Sequence, residues 1–494
     1  MKINLKNMKK IFALIVPVML LTDAVTAQNE TDAFRYSYIN HFGTARFNAM
    51  GGAFTALGGD FSSIALNPGA LAVYRGSEIV FTPAFDLNST DASVNGYSMN
   101  DSKLNVNISN FSYVGNFNAA SHDIISWDFA FGYTRLANFN NEYSIDIASS
   151  SPSLLQSYIN DLNAGNGTYE GDIPDLYPFD INLAYQNYLI NPLATDTMHY
   201  SHEMANATSI NKYKNVTTRG GMGETFVGYG ANLNDVLYFG ATVGFPKIRY
   251  IEKSVYQESN DDTTVTVQSF TKNDYLKTTG SGINFKLGVI YRVVDWFRVG
   301  LALHSSSYFT MHDSWNSNMD AKFKDNSSYS YSSPAGLYDY NLRTPYRVEA
   351  GVGFIIAQNG ALSVDYEYVD YTAAKFNPSS NSPDGYSFVE ENKNIDLMFK
   401  PTHNVRAGFE WKFTEEIRMQ LGYRWYDNPY AFAKNPNQQI YSGGIGYKTD
   451  EFYINLGYFY QNQQQQALLH YGSEEVVNKN STNHNLSISF GVRF

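Results

Sequence analysis

The chain has 494 residues, a formal charge of −12, no cysteine and an aromatic content of 16% that includes 39 Tyr and 33 Phe. Without cysteine there is no disulfide framework, zinc–thiolate site, thiol catalysis or lipid-modified cysteine. A nucleic-acid partner needs clustered Lys and Arg to neutralise phosphate, and no such cluster lies beyond the first ten residues.

Residues 1–27 read as a signal peptide: Lys2, Lys6, Lys9 and Lys10, then the apolar run Ile11–Leu21, then Val25-Thr26-Ala27. That run is too short for a membrane helix, which needs about 20 residues, and no later stretch comes near that length. An exported chain of this kind is periplasmic, secreted or an outer-membrane barrel.

Residues 28–76 read as a plug. Its central stretch, GTARFNAMGGAFTALGGDFSSIALNPGALAVY, places Gly51, Gly52, Gly58 and Gly59 among apolar residues. Glycine costs a helix about 1 kcal/mol each, so these positions serve turns and close packing. Asn67, Pro68 and Gly69 are the expected anchor. Pro68 fixes its own backbone angle and biases Asn67 away from helix, and the Asn67 amide can serve backbone groups of a buried turn. Phe47, Phe54 and Phe61, seven residues apart, would share one helical face and line an apolar ligand pocket; packing of the plug's own core reads equally well. The plug is expected to gate whatever encloses it.

From Ser77 the pattern is alternation. In the last stretch Leu486, Ile488, Phe490, Val492 and Phe494 oppose Asn485, Ser487, Ser489, Gly491 and Arg493. Tight turns near Phe117–Asp123, 232–235, 293–295, 358–360, 414–415 and 449–451 alternate with polar excursions near 89–103, 138–220, 257–279, 311–342, 374–400, 428–437 and 463–482. This rhythm gives fourteen strands with both ends on the short-turn side. The expected fold is all-β: a fourteen-stranded antiparallel transmembrane β-barrel over 77–494 around an N-terminal hatch at 28–76, in the outer membrane of a Gram-negative bacterium. Trp127, Tyr133, Trp296, Trp411, Trp425, Tyr426, Tyr458 and Tyr460 would sit in two interfacial girdles against outer-membrane lipid. Phe494, a terminal aromatic on the lipid face, is expected to be read by the barrel-assembly machinery.

In the longest excursion, 138–220, Ser153-x-x-Gln156 caps one amphipathic helix and Asn191-Pro192 ends a second that carries Ile181, Ala184, Tyr185, Tyr188 and Leu189 on one face. They offer an apolar lip, or they pack together and cap the barrel. The inward strand faces carry Lys286, Arg292, Arg298, Glu349, Asp365, Glu367, Arg406, Glu410, Lys412, Arg418, Arg424 and Arg493. Such mixed charges hold a plug by salt bridges, or Arg406 and Arg424 meet the carboxylate of an anionic ligand. The run Met198-His199-Tyr200-Ser201-His202-Glu203-Met204 is the one metal-like cluster. It lies in a loop with no evident groups to orient its ligands, and it is expected not to bind haem. No catalytic constellation, metal site or cofactor motif is present, so the chain is not expected to be an enzyme.

The stretch ARFNAMGGAFTALGGDFSSIALNPGALAVY resembles the amino-terminal hatch of the FadL family of outer-membrane long-chain fatty-acid channels. In that family a glycine-rich segment ending in Asn-Pro-Ala sits inside a fourteen-stranded barrel; Asn67, Pro68 and Gly69 match it, with glycine replacing alanine. The hairpins HNVRAGFEWKFTEEIRMQLGYRWYDNP and YSGGIGYKTDEFYINLGYFY look like the family's strand-turn-strand units. The resemblance implies passive uptake of hydrophobic compounds, long-chain fatty acids above all: a ligand lands on outer loops, enters the lumen beside the hatch, and leaves sideways through a kinked early strand. Here both candidate lip helices fall in one loop, whereas the family builds its groove from two. A barrel adaptor for protein secretion or attachment and a haem receptor are the alternatives.

Overall fold

The computed structural model describes residues 30–494 apart from 120–122, 358, 382–385 and 433–435; the signal-peptide reading of 1–27 falls outside these residues. Fourteen strands close into one antiparallel barrel. They are β1 (Glu78–Val94), β2 (Tyr97–Asn118), β3 (Ile124–Asn138, continued by Asn141–Ser150), β4 (Ile210–Leu233), β5 (Leu237–Ser259), β6 (Val267–Val294) and β7 (Phe297–His304 with Tyr308–Phe323). The circuit continues with β8 (Gly336–Arg343 with Arg347–Ile356), β9 (Gly360–Asp370), β10 (Pro401–Lys412), β11 (Ile417–Tyr426), β12 (Gln438–Lys448), β13 (Phe452–Leu468) and β14 (Val476–Arg493). β14 returns to β1, from Glu78 opposite Arg493 to Ser93 opposite Asn478, so the wall has no open end.

Burial is inverted relative to a protein built for water. Outward-facing Leu104, Val106 and Leu421 are 65%, 61% and 62% exposed, whereas inward-facing Arg406 and Glu349 are 1% and 0% exposed. A charged lumen wrapped in exposed aliphatic side chains is stable only where the outside is hydrocarbon. The apolar band ends at one level. Outward residues on β1 run Ile79, Phe81, Phe85, Leu87 and then Asp91; on β2, Ile108, Val106 and Leu104 give way to Ser102 and Asn100. Leu87 stands opposite both Leu104 and His484, and His484 stands opposite Tyr460, beyond which β13 turns to Gln464 and Gln466. From Ile79 to Leu87 a tilted strand climbs roughly 20–25 Å, the height of a barrel's lipid-facing belt. At its lower edge Trp127 stacks on Tyr229 at 5.4 Å and Trp296 on Phe354 at 6.3 Å. Tyr426 is not in a girdle: it shares the parity of Arg424 and is buried in the lumen against Phe42, Ile440 and Phe459.

Several excursions expected as loops are strand. β1 and β2 meet in a turn at Asn95 and Gly96, both with left-handed φ (49° and 89°), so 89–103 is mostly hairpin. β6 has 28 residues and β4 has 24, and both rise well above the lipid band. Above the band the outer face meets water, so the apolar half of the alternation disappears while the hydrogen-bond ladder continues.

The 138–220 segment caps this raised wall. Helices at Leu154–Leu162, Ile173–Leu176 and Ile181–Gln186 are followed by a small hairpin of Ile190–Leu193 and Asp196–His202. Ser153 accepts from Leu155 N at 3.1 Å and donates to Glu258, which also accepts from Leu154 N at 2.7 Å. Leu155, Tyr158, Leu162, Ile181, Leu183 and Ala184 are buried in one core with wall residues that include Val267, Phe270 and Met319. The helices are therefore a lid core, and Tyr188, expected on the apolar face, points out and is 55% exposed.

Two histidines make the cap acid-sensitive. His202 and His470 are buried, and desolvation depresses both to about 4, against the opposing pull of Glu203 on His202 and with Lys212, Lys214 and Glu475 around His470. A depressed pKa means that the unfolded cap binds protons the folded cap does not. Stability is full above about pH 6.5 and is lost as pH falls from there toward 4. Hydrogen exchange of the 154–189 amides should accelerate across that window while barrel amides at the lipid band stay protected. His202→Gln with His470→Gln should flatten the dependence.

At the seam, Phe494 N donates to Ser77 O at 3.1 Å and Ser77 N to Phe494 O at 3.0 Å, and the Phe494 ring lies at 6.5 Å from Tyr113. Deleting Phe494 removes these links together with the terminal aromatic. The expected result is a sharp fall in the heat-modifiable, assembled form on a gel; equal yield and migration would refute it.

Candidate functional site

The hatch runs inside the barrel as short helical turns separated by glycine pairs. Thr44 caps Ala45–Ala49, accepting from Phe47 N at 3.2 Å, and Asp60 caps Phe61–Leu66, accepting from Ser62 N at 2.9 Å. The Thr44 hydroxyl reaches both Asp60 carboxylate oxygens at 2.8 Å, which ties one turn to the other. Gly51, Gly52, Gly58 and Gly59 all have left-handed φ of 62–68°, which breaks the helix between them. Phe47, Phe54 and Phe61 therefore do not share a helical face, a correction of the expectation from their spacing. Phe47 stacks on Phe54 at 5.6 Å beside Met50, Leu57 and Leu66, while Phe61 stacks on Phe226 of β4 at 5.2 Å in a separate cluster.

Asn67 is the most heavily bonded side chain of the expected anchor. Asn67 Nδ2 donates to Thr55 O at 2.7 Å and to Val289 O of β6 at 3.0 Å, and its Oδ1 accepts from Gly69 N at 2.9 Å. The plug is thus pinned to itself and to the wall at one side chain. Around it the wall is cut back to glycine: a Cβ would lie 1.9 Å from Asn67 Oδ1 at Gly288, 2.2 Å from Pro68 O at Gly240 and 2.1 Å from Thr55 O at Gly300. Across the lumen the corresponding distances are 2.4 Å to Met50 O at Gly408, 2.1 Å to Gly51 N at Gly422 and 2.2 Å to Ala45 O at Gly457. Backbone of the hatch lies directly on backbone of the wall.

The inward charges mostly bind one another or the hatch. Arg406 pairs with Glu349, lies 3.3 Å from Glu367 and 4.0 Å from Asp365, and Arg347 lies 3.3 Å from Glu367. Two hatch groups join them, His41 meeting Glu367 at 2.7 Å and Thr55 N donating to Asp365 at 2.8 Å, and beside them the wall residue Arg424 donates to the hatch carbonyls of Asn40 and His41 at 2.8 and 3.2 Å. A second contact is Arg46 to Glu410 at 2.8 Å, with Gln420 donating to the same carboxylate at 3.0 Å. Arg298 donates to Leu57 O at 3.1 Å and His304 to Leu66 O at 2.6 Å. In this closed arrangement Phe47, Phe54, Phe61, Arg406 and Arg424 are all buried and engaged. His41, His304 and Arg46 carry as much of the hatch contact and were not singled out by sequence; for His304 the usable signal was a lone polar residue at an inward strand position, and for His41 and Arg46 a charged or titratable side chain within the otherwise apolar plug. Among the described residues His41, Glu349 and Glu367 bring ligand atoms within 4.8 Å of one another, but Arg347 and Arg406 stand where a cation would.

In the 198–204 run, His199 and His202 are three apart on a strand and so point to opposite faces. His199 meets Asp196 at 2.7 Å, and His202 meets Gln156 at 3.2 Å.

The wall is incomplete at one place. β2 pairs with β3 only from Asn110–Thr134 to Asn118–Ser126; above this, residues 97–109 of β2 ladder with β1 alone. β3 bulges between Arg135 and Ala137, breaks at 139–140, and continues as Asn141–Ser150 paired with β4. Lumen-facing Asn88 and Thr90 of β1 donate to Asn140 O at 2.6 Å and Asn141 Oδ1 at 2.9 Å, so the chain beyond the kink leans across the inside of β2. Side chains of β2 reaching the backbone of the neighbouring strands, and not a backbone-to-backbone ladder, bridge the gap: Asp101 accepts from Ser144 N at 2.6 Å and Lys103 donates to Thr218 O at 3.0 Å. The gap opens between Ile108 and Leu104, within the upper half of the lipid-facing band.

No protein-family model and no curated protein sequence matches the chain. It is similar in structure to a FadL homologue of Pseudomonas aeruginosa, with a TM-score of 0.55 at 10% identity over 93% of this chain and 100% of that one. It is also similar to the toluene transporter TodX of Pseudomonas putida, with a TM-score of 0.52 at 13% identity over 93% of this chain and 100% of that one. With its closed circuit of fourteen strands around an amino-terminal segment pinned at Asn67, the chain has the fold of the FadL-type channels.

Proposed function

We propose that the protein is an outer-membrane channel of a Gram-negative bacterium for passive uptake of hydrophobic compounds, long-chain fatty acids first among them, with lateral exit through the gap between β2 and β3. The observation that carries this reading is the interrupted ladder at the level of the apolar band. An apolar solute gains nothing by entering periplasmic water, so a side exit into lipid is the downhill route. The hatch, held by Asn67, Pro68 and Gly69, blocks the straight path. Once it shifts, Phe47, Phe54 and Phe61 present apolar surface to an acyl chain, and Arg406 and Arg424 lie within reach of its carboxylate. The similar solved structures are a FadL homologue and a toluene transporter, so an acyl chain and an aromatic hydrocarbon both enter the test.

The chain has no cysteine, so thiols can be introduced at will. Asp101→Cys with Ser144→Cys, bridged by a reducible short cross-linker, ties β2 to the kinked strand. Labelled oleate and toluene uptake should fall to background when bridged and recover on reduction. Uptake that persists with the bridge in place would place the exit elsewhere; no uptake of either solute by the unmodified protein would refute the channel itself.

A further inference from the structure

At the outer rim, from the upper edge of the lipid band upward, a cavity of about 340 Å³ lies between the hatch residues Phe34 and Tyr38, the β11–β12 connection and the upper ends of β12 and β13. Its volume falls in the roughly 300–1,000 Å³ range of small-molecule sites. We propose that it binds a neutral, hydroxyl-rich ring, the hexose unit of a saccharide.

The lining has two components. Tyr38, Tyr430, Tyr441 and Tyr460 supply flat aromatic surface. The rest is largely carboxamide, from Gln438, Asn462 and Gln463 among others. The described lining has no Lys or Arg, and its one acid, Asp427, is held by Lys400 at 3.3 Å. A carboxylate ligand would find no cation here, and an acyl chain or a bare hydrocarbon ring would bury the amides without partners at a cost of about 1–3 kcal/mol each. A sugar fits both components: its C–H faces lie against aromatic rings, and each hydroxyl, a donor and an acceptor at once, matches a carboxamide that is also both. Two amide atoms already lack partners. Gln438 Nε2 and Asn462 Oδ1 are shut off from solvent and make no hydrogen bond among the described residues, although Gln438 Oε1 accepts from Tyr38 OH. One donor and one acceptor without partners thus belong to residues of the lining, just beneath its surface, where a small side-chain rotation brings them to a ligand, and Gln438 is tied to Tyr38 of the amino-terminal segment.

The hexose can be part of a free saccharide or of a surface glycolipid, and two arms separate these sources. In the first, the full chain in lauryldimethylamine oxide, which carries no sugar, is titrated with glucose, galactose, N-acetylglucosamine and cellobiose and read by saturation-transfer NMR. In the second, nanodiscs with lipopolysaccharide are compared with nanodiscs of phosphatidylethanolamine alone. In at least one arm binding is expected, and it should weaken about tenfold in Gln438→Ala, which removes one buried hydrogen bond, and by a similar factor in Tyr441→Ala, which removes an aromatic face. Gln466→Ala, on β13 but outside the cavity, should bind as the unmodified chain does, and heat-modifiable migration shows that each variant is assembled. Absence of binding in both arms overturns the proposal, as does binding that these two variants leave unchanged. So does oleate or toluene binding that Gln438→Ala abolishes in place of sugar binding.

Discussion

Gly288→Val should expel the hatch while leaving the barrel closed. A Cβ alone would stand 1.9 Å from Asn67 Oδ1 and 2.8 Å from Pro68 Cδ. The wall cannot retreat, because β6 is laddered to β5 on one side and β7 on the other. The plug must yield, and with it go the bonds of Asn67 to Thr55 and Val289. Single-channel recordings should show a several-fold rise in ion conductance, with entry of small hydrophilic solutes that the intact protein excludes and loss of selective uptake. Deletion of 43–66 and the pair Asn67→Ala with Pro68→Ala should move the same way. Gly443→Val is the matched control, since the nearest atom to its Cβ is at 3.4 Å and no hatch atom is near. Conductance that stays low in Gly288→Val would mean that the segment is a filler and not a gate.

Arg406→Met should be the most destabilising single change in the lumen. It leaves Glu349, Asp365 and Glu367 buried together, with Arg347 and His41 on Glu367 and no cation on Glu349 or Asp365. Removing one member of a buried ion network costs about 3–5 kcal/mol, because the remaining charges are stranded. The urea midpoint in detergent micelles should drop accordingly, and the hatch should become protease-sensitive near His41. Adding Glu349→Leu should recover part of the loss, since it removes the carboxylate that Arg406 holds most closely while Glu367 keeps Arg347 and Asp365 keeps Thr55 N. No recovery in the double variant would mean that the network acts through shape and not through charge.

Sequence alternation located the strands wherever one face meets lipid, because there Leu, Phe and Val must fall on every second position; β14 and β11 are readable residue by residue. It failed higher on the wall. Residues 89–103 and 463–482 are polar on the outer face and only sparsely apolar on the inner one, at Ala92, Val94, Leu468 and Val477, and the ladder to a neighbouring strand, which a single sequence does not display, keeps them extended. The anchor was legible because Asn67 and Pro68 act locally, through their own backbone. The shared face of Phe47, Phe54 and Phe61 was not, because a period of seven holds only while the helix holds, and the paired glycines break it. The charge network was visible as inward parity but not as pairing: Glu367 meets His41 across 326 residues of sequence, a partnership set by barrel register. The gap beside β2 is likewise a missing partnership, and its local trace is confined to the bulge near Arg135.

The seam between β14 and β1 dictates an order of assembly. Glu78 and Arg493 are neighbours in the finished wall though 415 residues apart in the chain, and joining ends that distant costs roughly 5 kcal/mol of closure entropy before any new contact repays it. Folds dominated by such remote pairings form slowly. Until the circuit closes, the alternating Leu, Phe and Val that will face lipid are exposed to water on strands with unpaired edges, a state prone to aggregation. The open, unpaired chain is therefore the hazardous state on the way to the bilayer. Spontaneous refolding from urea should accordingly be slow, and should depend on micelles or bilayer being present before the denaturant is removed.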